Sequence, residues 1–369
     1  MTNIVVVGGG YSGLLAAKLA ARRTNATVTL INARAGFVER IRLHQLASGA
    51  PLPERPIADL LDGTGVRLIV DRVTAIDAGD RTVALATGHS VGYDVLVYAL
   101  GSYADLDSVP GVAEFAYTVA DLEQATRLRD HLAESATVAV VGGGLTGIEA
   151  ATELAEARPD LKVRLVTDGV LGGALSERGR RHLRRTCERL RIEVMDEVRV
   201  ADVRADGLVL ADGEHLAADT VVWTTGFQVS PLARDAGFAV DAAGRVIVDE
   251  TLRCTSHHEV YVVGDAAAAR RSDGQELRMA CGTGLPTAAQ GISALANRLA
   301  GREPKPLRFR YFNQCISLGR RDALVQFVRA DDSPVEAVLT GRLAARYKEG
   351  IVRGAMLVER RSRLAELFS

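Results

Sequence analysis

The apolar positions of this chain fall into one arrangement that occurs twice. Residues 3–7 (Asn-Ile-Val-Val-Val) form a short continuous apolar run, the pattern of a strand buried on both faces of a parallel sheet. A glycine turn follows, then the alanine- and leucine-rich stretch 14–21, which predicts a helix, then a second apolar strand at 27–31. The same order returns at 137–141, 142–147, 148–157 and 162–166. Further apolar runs ending in glycine lie at 94–101, 219–226 and 259–264. Strands alternating with helices predict an α/β fold with parallel sheets.

The two turns carry the first chemistry. They read Gly8-Gly9-Gly10-Tyr11-Ser12-Gly13 and Gly142-Gly143-Gly144-Leu145-Thr146-Gly147. In such a turn Gly8 or Gly142 permits the tight bend, and Gly10 or Gly144 lets backbone approach a pyrophosphate. Gly13 or Gly147 lets helix and strand pack closely. The helix start then offers free N–H groups and partial positive charge. A lone GxGxxG is weak evidence, but here a strand precedes it and a helix and strand follow it both times. Two dinucleotides are therefore expected in one chain.

Where the next strand ends, an acidic residue usually receives a ribose hydroxyl. The first unit has Asn32, which can still hydrogen-bond a hydroxyl. The second has Thr167-Asp168, where a carboxylate would accept the 2'-hydroxyl of NADH and repel the 2'-phosphate of NADPH. NADH is favoured on this reading, with Arg178 and Arg180 as phosphate partners if NADPH binds. Later, Gly264-Asp265 closes an apolar run; a carboxylate there is aimed at a ribityl or phosphate hydroxyl, and the alternative is an ordinary turn.

Bulk properties narrow the class. At 369 residues the chain is long enough for two domains and a smaller third piece. A net charge of -1 gives no general attraction for nucleic acid. Cys187, Cys254, Cys281 and Cys315 are scattered, with no metal-ligand spacing, so reduced thiols and no metal are expected. No secretory signal and no apolar run of membrane-spanning length is visible, which suggests a cytoplasmic protein.

Five ordered motifs, namely the two glycine turns, the runs ending at Gly101 and Gly226, and Gly264-Asp265, resemble the pyridine nucleotide-disulfide reductase superfamily. The resemblance covers nearly the whole chain. It implies two Rossmann-like domains, one for FAD (residues 1–110 and 230–300) and one for NAD(P) (111–229), with residues 301–369 as a C-terminal cap. It also implies that Ala33, Val73, Ala99 and Gly101 border FAD, and that Leu145, Thr146, Thr225 and Gly226 border the nicotinamide dinucleotide. No cysteine lies between Phe37 and Arg72, where disulfide reductases carry their dithiol, so electrons are expected to leave the flavin directly. The segments 146–149, 279–297, 317–322 and 341–343 resemble type II NADH dehydrogenases and ferroptosis-suppressor-type relatives of apoptosis-inducing factor. That branch implies hydride transfer from NAD(P)H to FAD and on to a quinone or similar diffusible small-molecule acceptor. The Ala-Gln pair that the branch places near its quinone falls on Gly284-Leu285, and only Gln290 of a later glutamine pair is kept.

Each remaining candidate has a plain reading beside a functional one. Glu149 is favoured in a helix's first turns by the dipole alone, or it assists proton movement beside the stacked rings. Arg40, Arg42 and His44 form a solvated helix face, or Arg40 meets an FAD phosphate while His44 lines the pocket as an acid. Leu285 and Pro286 start a helix at 287–299, with Pro near N1, and their free N–H groups then face the flavin. Lys348 is an exposed tail lysine, or a cation near the same ring. The basic, amphipathic stretch 342–368 lies on the inner face of a membrane, on its own domain, or on a dimer mate. A reductase for an iron–sulfur protein and a slow redox sensor are the rival functions.

Overall fold

The computed structural model describes residues 1–360. The run 3–7 is the strand Asn3–Val7, the centre of a five-stranded parallel sheet flanked by Thr27–Asn32 and Val95–Tyr98. Arg67–Val70 and Val260–Val262 form its edges, so the last strand comes from far along the chain. That strand is shorter than the apolar run 259–265, because Gly264 takes φ +73° and turns the chain into the single 3-10 turn Gly264–Ala266. The second sheet has the order Glu193–Met195, Lys162–Val166, Thr137–Val141, Thr220–Trp223, Ala116–Tyr117, again all parallel.

The helices after the two glycine turns are Tyr11–Arg23 and Leu145–Ala157, each beginning three residues before the apolar periodicity does. Polar Ser12 and Thr146 hide the first turn from a hydrophobicity reading. Gly10 and Gly144 are extended N-caps without a side chain to accept a bond, so the first N–H groups of each helix lack a capping partner.

Two antiparallel three-stranded sheets flank these units, made of Val73–Asp77, Thr82–Leu85 and Ser90–Gly92, and of Val200–Arg204, Gly207–Leu210 and His215–Ala217. Between Gly101 and Gly226 the chain crosses from one parallel sheet to the other and back. Its two crossings, Ser102–Ala104 and Phe227–Val229, pair as an antiparallel ribbon.

The C-terminal part is a three-stranded antiparallel sheet (Asn313–Ser317, Ala323–Val328, Pro334–Thr340) followed by the helix Gly341–Arg360. Asp322 ties it to the helix Glu177–Arg189, accepting from His182 Nε2 at 3.0 Å, Arg189 at 2.8 Å and the Gly341 N–H at 2.9 Å. Ile316, Leu318 and Leu324 join the same core as Leu43, Leu46 and Ala47 and the helix Leu145–Ala157.

The helix Cys281–Leu299 packs along Tyr11–Arg23, and Met356 and Val358 of the last helix enter that core. The amphipathic stretch thus packs on its own chain, while Leu343, Tyr347, Ile351 and Leu357 stay exposed; positions 361–368 of it lie outside the described residues. Among the described residues no helix is long and apolar enough to cross a membrane. At the docked end Glu359 is fully buried, neither carboxyl oxygen has a partner among the described residues, and the Lys18 ammonium donates to its backbone oxygen. Burial drives both groups toward their uncharged forms.

Lys18→Met takes the donor from the Glu359 backbone carbonyl and is expected to cost about 2 kcal/mol in denaturant melts, a loss that adding Glu359→Met should not restore because the stranded group is main chain.

Candidate functional site

The first glycine turn meets three other segments. Gly8 has φ +102° and abuts the Ala99 carbonyl so closely that no side chain fits, while Gly13 lies equally close to the Gly8 carbonyl. The Ser12 hydroxyl fills the space where side chains on Gly264 or Gly284 would stand. Gly10 faces open space, with nothing within 4 Å of where its side chain would be, beside the uncapped helix start. That is a cradle for a pyrophosphate. Asn32 accepts the Gly9 N–H at 2.8 Å and donates to the Arg34 carbonyl at 2.7 Å, so it braces the turn as well as bordering it. Ala33 continues the chain in an exposed position. Val73 opens its strand two residues after Asp71, whose N–H bonds the Asn32 carbonyl.

Asp265 is more than a turn residue. Its carboxylate accepts the Ser102 hydroxyl at 2.7 Å, and Arg40 donates to the Ser102 carbonyl at 2.6 Å and hydroxyl at 3.2 Å. Gly101, at φ +66°, swings Ser102 into that position. The Tyr11 hydroxyl is buried without a partner among the described residues, its ring edge-on to Phe37, and burial holds the phenol far above its usual range.

The second turn repeats the geometry: Gly142 has φ +123°, Gly144 faces open space, and Gly147 lies against the Gly142 carbonyl. Leu145 and Thr146 form the first turn of the helix, and Thr224, Thr225 and Gly226 follow the strand beside it, with Thr224 Oγ1 bonded to the Val141 carbonyl at 2.7 Å. The position matching Asn32 is Thr167, which packs against Gly143 as Asn32 packs against Gly9. Asp168, the carboxylate expected there, comes one residue later and is exposed. Arg180 is paired with Glu177 on its own helix.

Three candidates that are far apart in sequence meet in one largely enclosed cluster, with His44 buried and Glu149 and Lys348 partly so. Glu149 accepts from the Lys348 ammonium at 2.8 Å and the Ser317 N–H at 2.9 Å, and its other oxygen lies 4.0 Å from His44 Nδ1. Lys348 also donates to the Cys315 carbonyl at 2.9 Å. The reading of Lys348 as an exposed tail lysine is overturned: the helix Gly341–Arg360 turns it inward against Glu149. Burial alone would raise the Glu149 carboxyl, but Lys348, then His44 and the Ser317 N–H, hold it below its ordinary value. Burial would lower Lys348, but Glu149 keeps it above the usual lysine range. The pair is therefore charged.

The solvated helix face expected for Arg40, Arg42 and His44 is likewise not found. Arg40–Arg42 is a 3-10 turn and Leu43–Ala47 a short helix buried against the second unit. Arg42 is held by Glu39 at 3.1 Å and by Glu349 at 2.7 Å. His44 is 5% exposed, its Nε2 has no partner among the described residues, and burial depresses it to about 4 against the pull of Glu149, with Lys348, Arg320 and Arg42 adding to the depression.

The helix expected to start at Thr287 begins at Cys281, so Pro286 lies inside it rather than near N1. The five residues before Pro286 include two glycines and no periodic apolar stripe, which concealed this part of the helix. Its free N–H groups belong to the turn at Cys281 instead of to Leu285. Burial raises the Cys281 thiol, with the charges of Lys348, Glu149 and Asp265 also acting on it. Ser102, Ser317 and Arg320 also belong to the site, as does Glu153; only Glu153, four residues after Glu149, carried a signal of its own.

Two nucleotide cradles of this form, with a polar cluster on the helix that leaves the second, define a two-dinucleotide flavoprotein oxidoreductase. Residues 2–290 match the family model "Pyridine nucleotide-disulphide oxidoreductase", and the chain belongs to that family. It is 34% identical over 355 residues to an NADH dehydrogenase-like protein of Mycobacterium tuberculosis, covering 88% of this chain and 87% of the relative. It is 27% identical to a demethylphylloquinone reductase of Synechocystis, covering 94% and 92%. Its fold matches that of NDH2 from Plasmodium falciparum in complex with NADH, with a TM-score of 0.82 at 15% identity and 97% of both chains covered. The protein is thus an NAD(P)H-dependent flavoprotein oxidoreductase of NADH dehydrogenase type.

His44 supplies a pH prediction. The folded state keeps it neutral down to about 4, whereas the unfolded chain protonates it near 6.5, so stability falls as pH drops between those values. The loss is on the order of 3 kcal/mol. In melts at pH 7 and pH 4.5, His44→Gln should shrink that difference.

Proposed function

We propose that the protein oxidises NADH at the second cradle and passes the electrons through FAD at the first to a quinone, with Glu149, Lys348 and His44 serving the acceptor step. The observation that carries this reading is the largely enclosed Glu149–Lys348 ion pair beside the buried His44. FAD, when bound, supplies two-electron chemistry between a hydride donor and an acceptor. Gly8, Gly10, Gly13 and the first N–H groups of Tyr11–Arg23 would hold its pyrophosphate. Asp265 with Ser102 and Arg40 would hold ribityl or phosphate oxygens, and the turn at Cys281 would face the pyrimidine edge. Gly142, Gly144 and Gly147 would hold the nicotinamide dinucleotide.

Within that frame the side chains have separate tasks. Lys348 places a fixed positive charge where an acceptor oxygen gains electron density. Glu149 keeps that lysine oriented and accepts or releases the proton at its Oε2 side, next to His44. His44, neutral and missing a partner at Nε2 among the described residues, is suited to hydrogen-bond an acceptor oxygen.

The quinone reading also draws on the demethylphylloquinone reductase among the relatives. It gains support from the outer face of the last helix, where Leu343, Tyr347 and Ile351 recur every fourth residue beside exposed Phe312, close to Arg342 and Arg346. Such a face suits the inner surface of an anionic membrane, where a lipid-soluble acceptor is reached.

Two variants separate the cradles. Because Gly10 and Gly144 face open space, a valine there fits the fold and occupies the ligand's place. Gly10→Val should purify colourless, and Gly144→Val yellow but not bleached by NADH. Bleaching of the latter at the normal rate rules out this assignment of the two turns. For the acceptor step, Glu149→Gln is expected to keep NADH bleaching and lose about 10² or more of its menadione turnover, read by stopped flow and steady-state assay.

A further inference from the structure

Glu149 is the first of three carboxylates in a row. Glu153 and Glu156 follow on the same helix, four and then three residues on, so the winding of Leu145–Ala157 aligns all three on one face. That face is covered by the C-terminal sheet. Glu149 bonds the Ser317 N–H, and Glu156, at the partly exposed end, accepts the Arg320 N–H. Like charges at this spacing repel, and a helix needs no such row for stability.

The middle member is the unusual one. Glu153 is 3% exposed, its Oε2 has no partner among the described residues, and Arg320 Nε stands 3.7 Å from its other oxygen. The same guanidinium reaches Glu349 at 3.7 Å, so its charge is shared. The groups facing Glu153 are therefore Glu149 and Glu156 on its own helix and Arg320 from the cap. Beyond Glu149 stand Lys348 and His44. Burial, against the pull of Arg320, raises Glu153 to about 7, so it both holds and releases a proton near neutral pH. Its neighbours do not: Lys348 is pushed up and His44 down to about 4.

The proposed reaction consumes one proton. NADH gives up a hydride and leaves as NAD⁺, and the quinone gains that hydride equivalent and one H⁺ to become the quinol. We propose that Glu153 is the station through which this proton reaches Glu149, entering from solvent at the rim formed by Glu156 and Arg320. The proposal rests on the quinone reading above and adds to it a route from solvent to Glu149.

The test compares holoenzyme and Glu153→Gln with two acceptors: menadione, which takes up protons, and ferricyanide, which takes electrons alone. Menadione turnover should fall about tenfold or more relative to ferricyanide turnover, the D2O isotope effect on menadione turnover should rise, and added formate or imidazole should restore part of the rate. Glu153→Asp keeps the acid and should recover most of the menadione rate, which a packing role would not predict. Independently of turnover, infrared spectra of the wild type should show the C=O stretch of a buried protonated carboxyl that fades as pH rises through neutrality and is missing in Glu153→Gln. Equal slowing with both acceptors, or none with either, overturns the relay, and so does absence of that infrared band. A wild type that reduces ferricyanide but no quinone instead refutes the quinone reading.

Discussion

The ion pair between Glu149 and Lys348 is the contact on which the arrangement of the site depends. It joins a helix that begins at the second glycine turn to a helix near the C-terminus, and the Ser317 N–H completes the coordination of the carboxylate. Two buried charges are costly when apart and favourable when matched, so their mutual dependence fixes how the cap closes over the second unit. The other polar contacts follow from that closure. Arg320 is brought to Glu153 and Glu349, and Glu349 in turn holds Arg42, which carries His44 into the same space.

The twofold use of one local design explains how much could be read without coordinates. Both strand–turn–helix units follow from apolar runs and glycine spacing, because the tight bend and the close helix packing leave no other residue type. The strands Thr137–Val141 and Lys162–Val166 fall where the periodicity puts them. What stayed hidden was local or nonlocal for physical reasons. Two glycines and Pro286 mask the start of the helix Cys281–Leu299. Lys348 reads as a surface lysine until the cap sheet sets the rotation of its helix, and no pattern along the chain records that Ser102 lies beside Asp265.

The two cradles also differ in a way that bears on what they hold. Asn32 bonds both the Gly9 N–H and the Arg34 carbonyl, whereas Thr167, in the matching place, fills space against Gly143 and leaves its carboxylate neighbour outside. The first cradle is cross-braced and the second is not. A tightly retained group suits the former, and a ligand that must come and go each cycle suits the latter.

The short helix Leu43–Ala47 sits in the chain between two strands of the first sheet, yet Leu43, Leu46 and Ala47 are buried in the core of the second. This works as a mechanical rivet. A swing of one sheet away from the other would pull Leu43, Leu46 and Ala47 out of that core, so their apolar packing resists it.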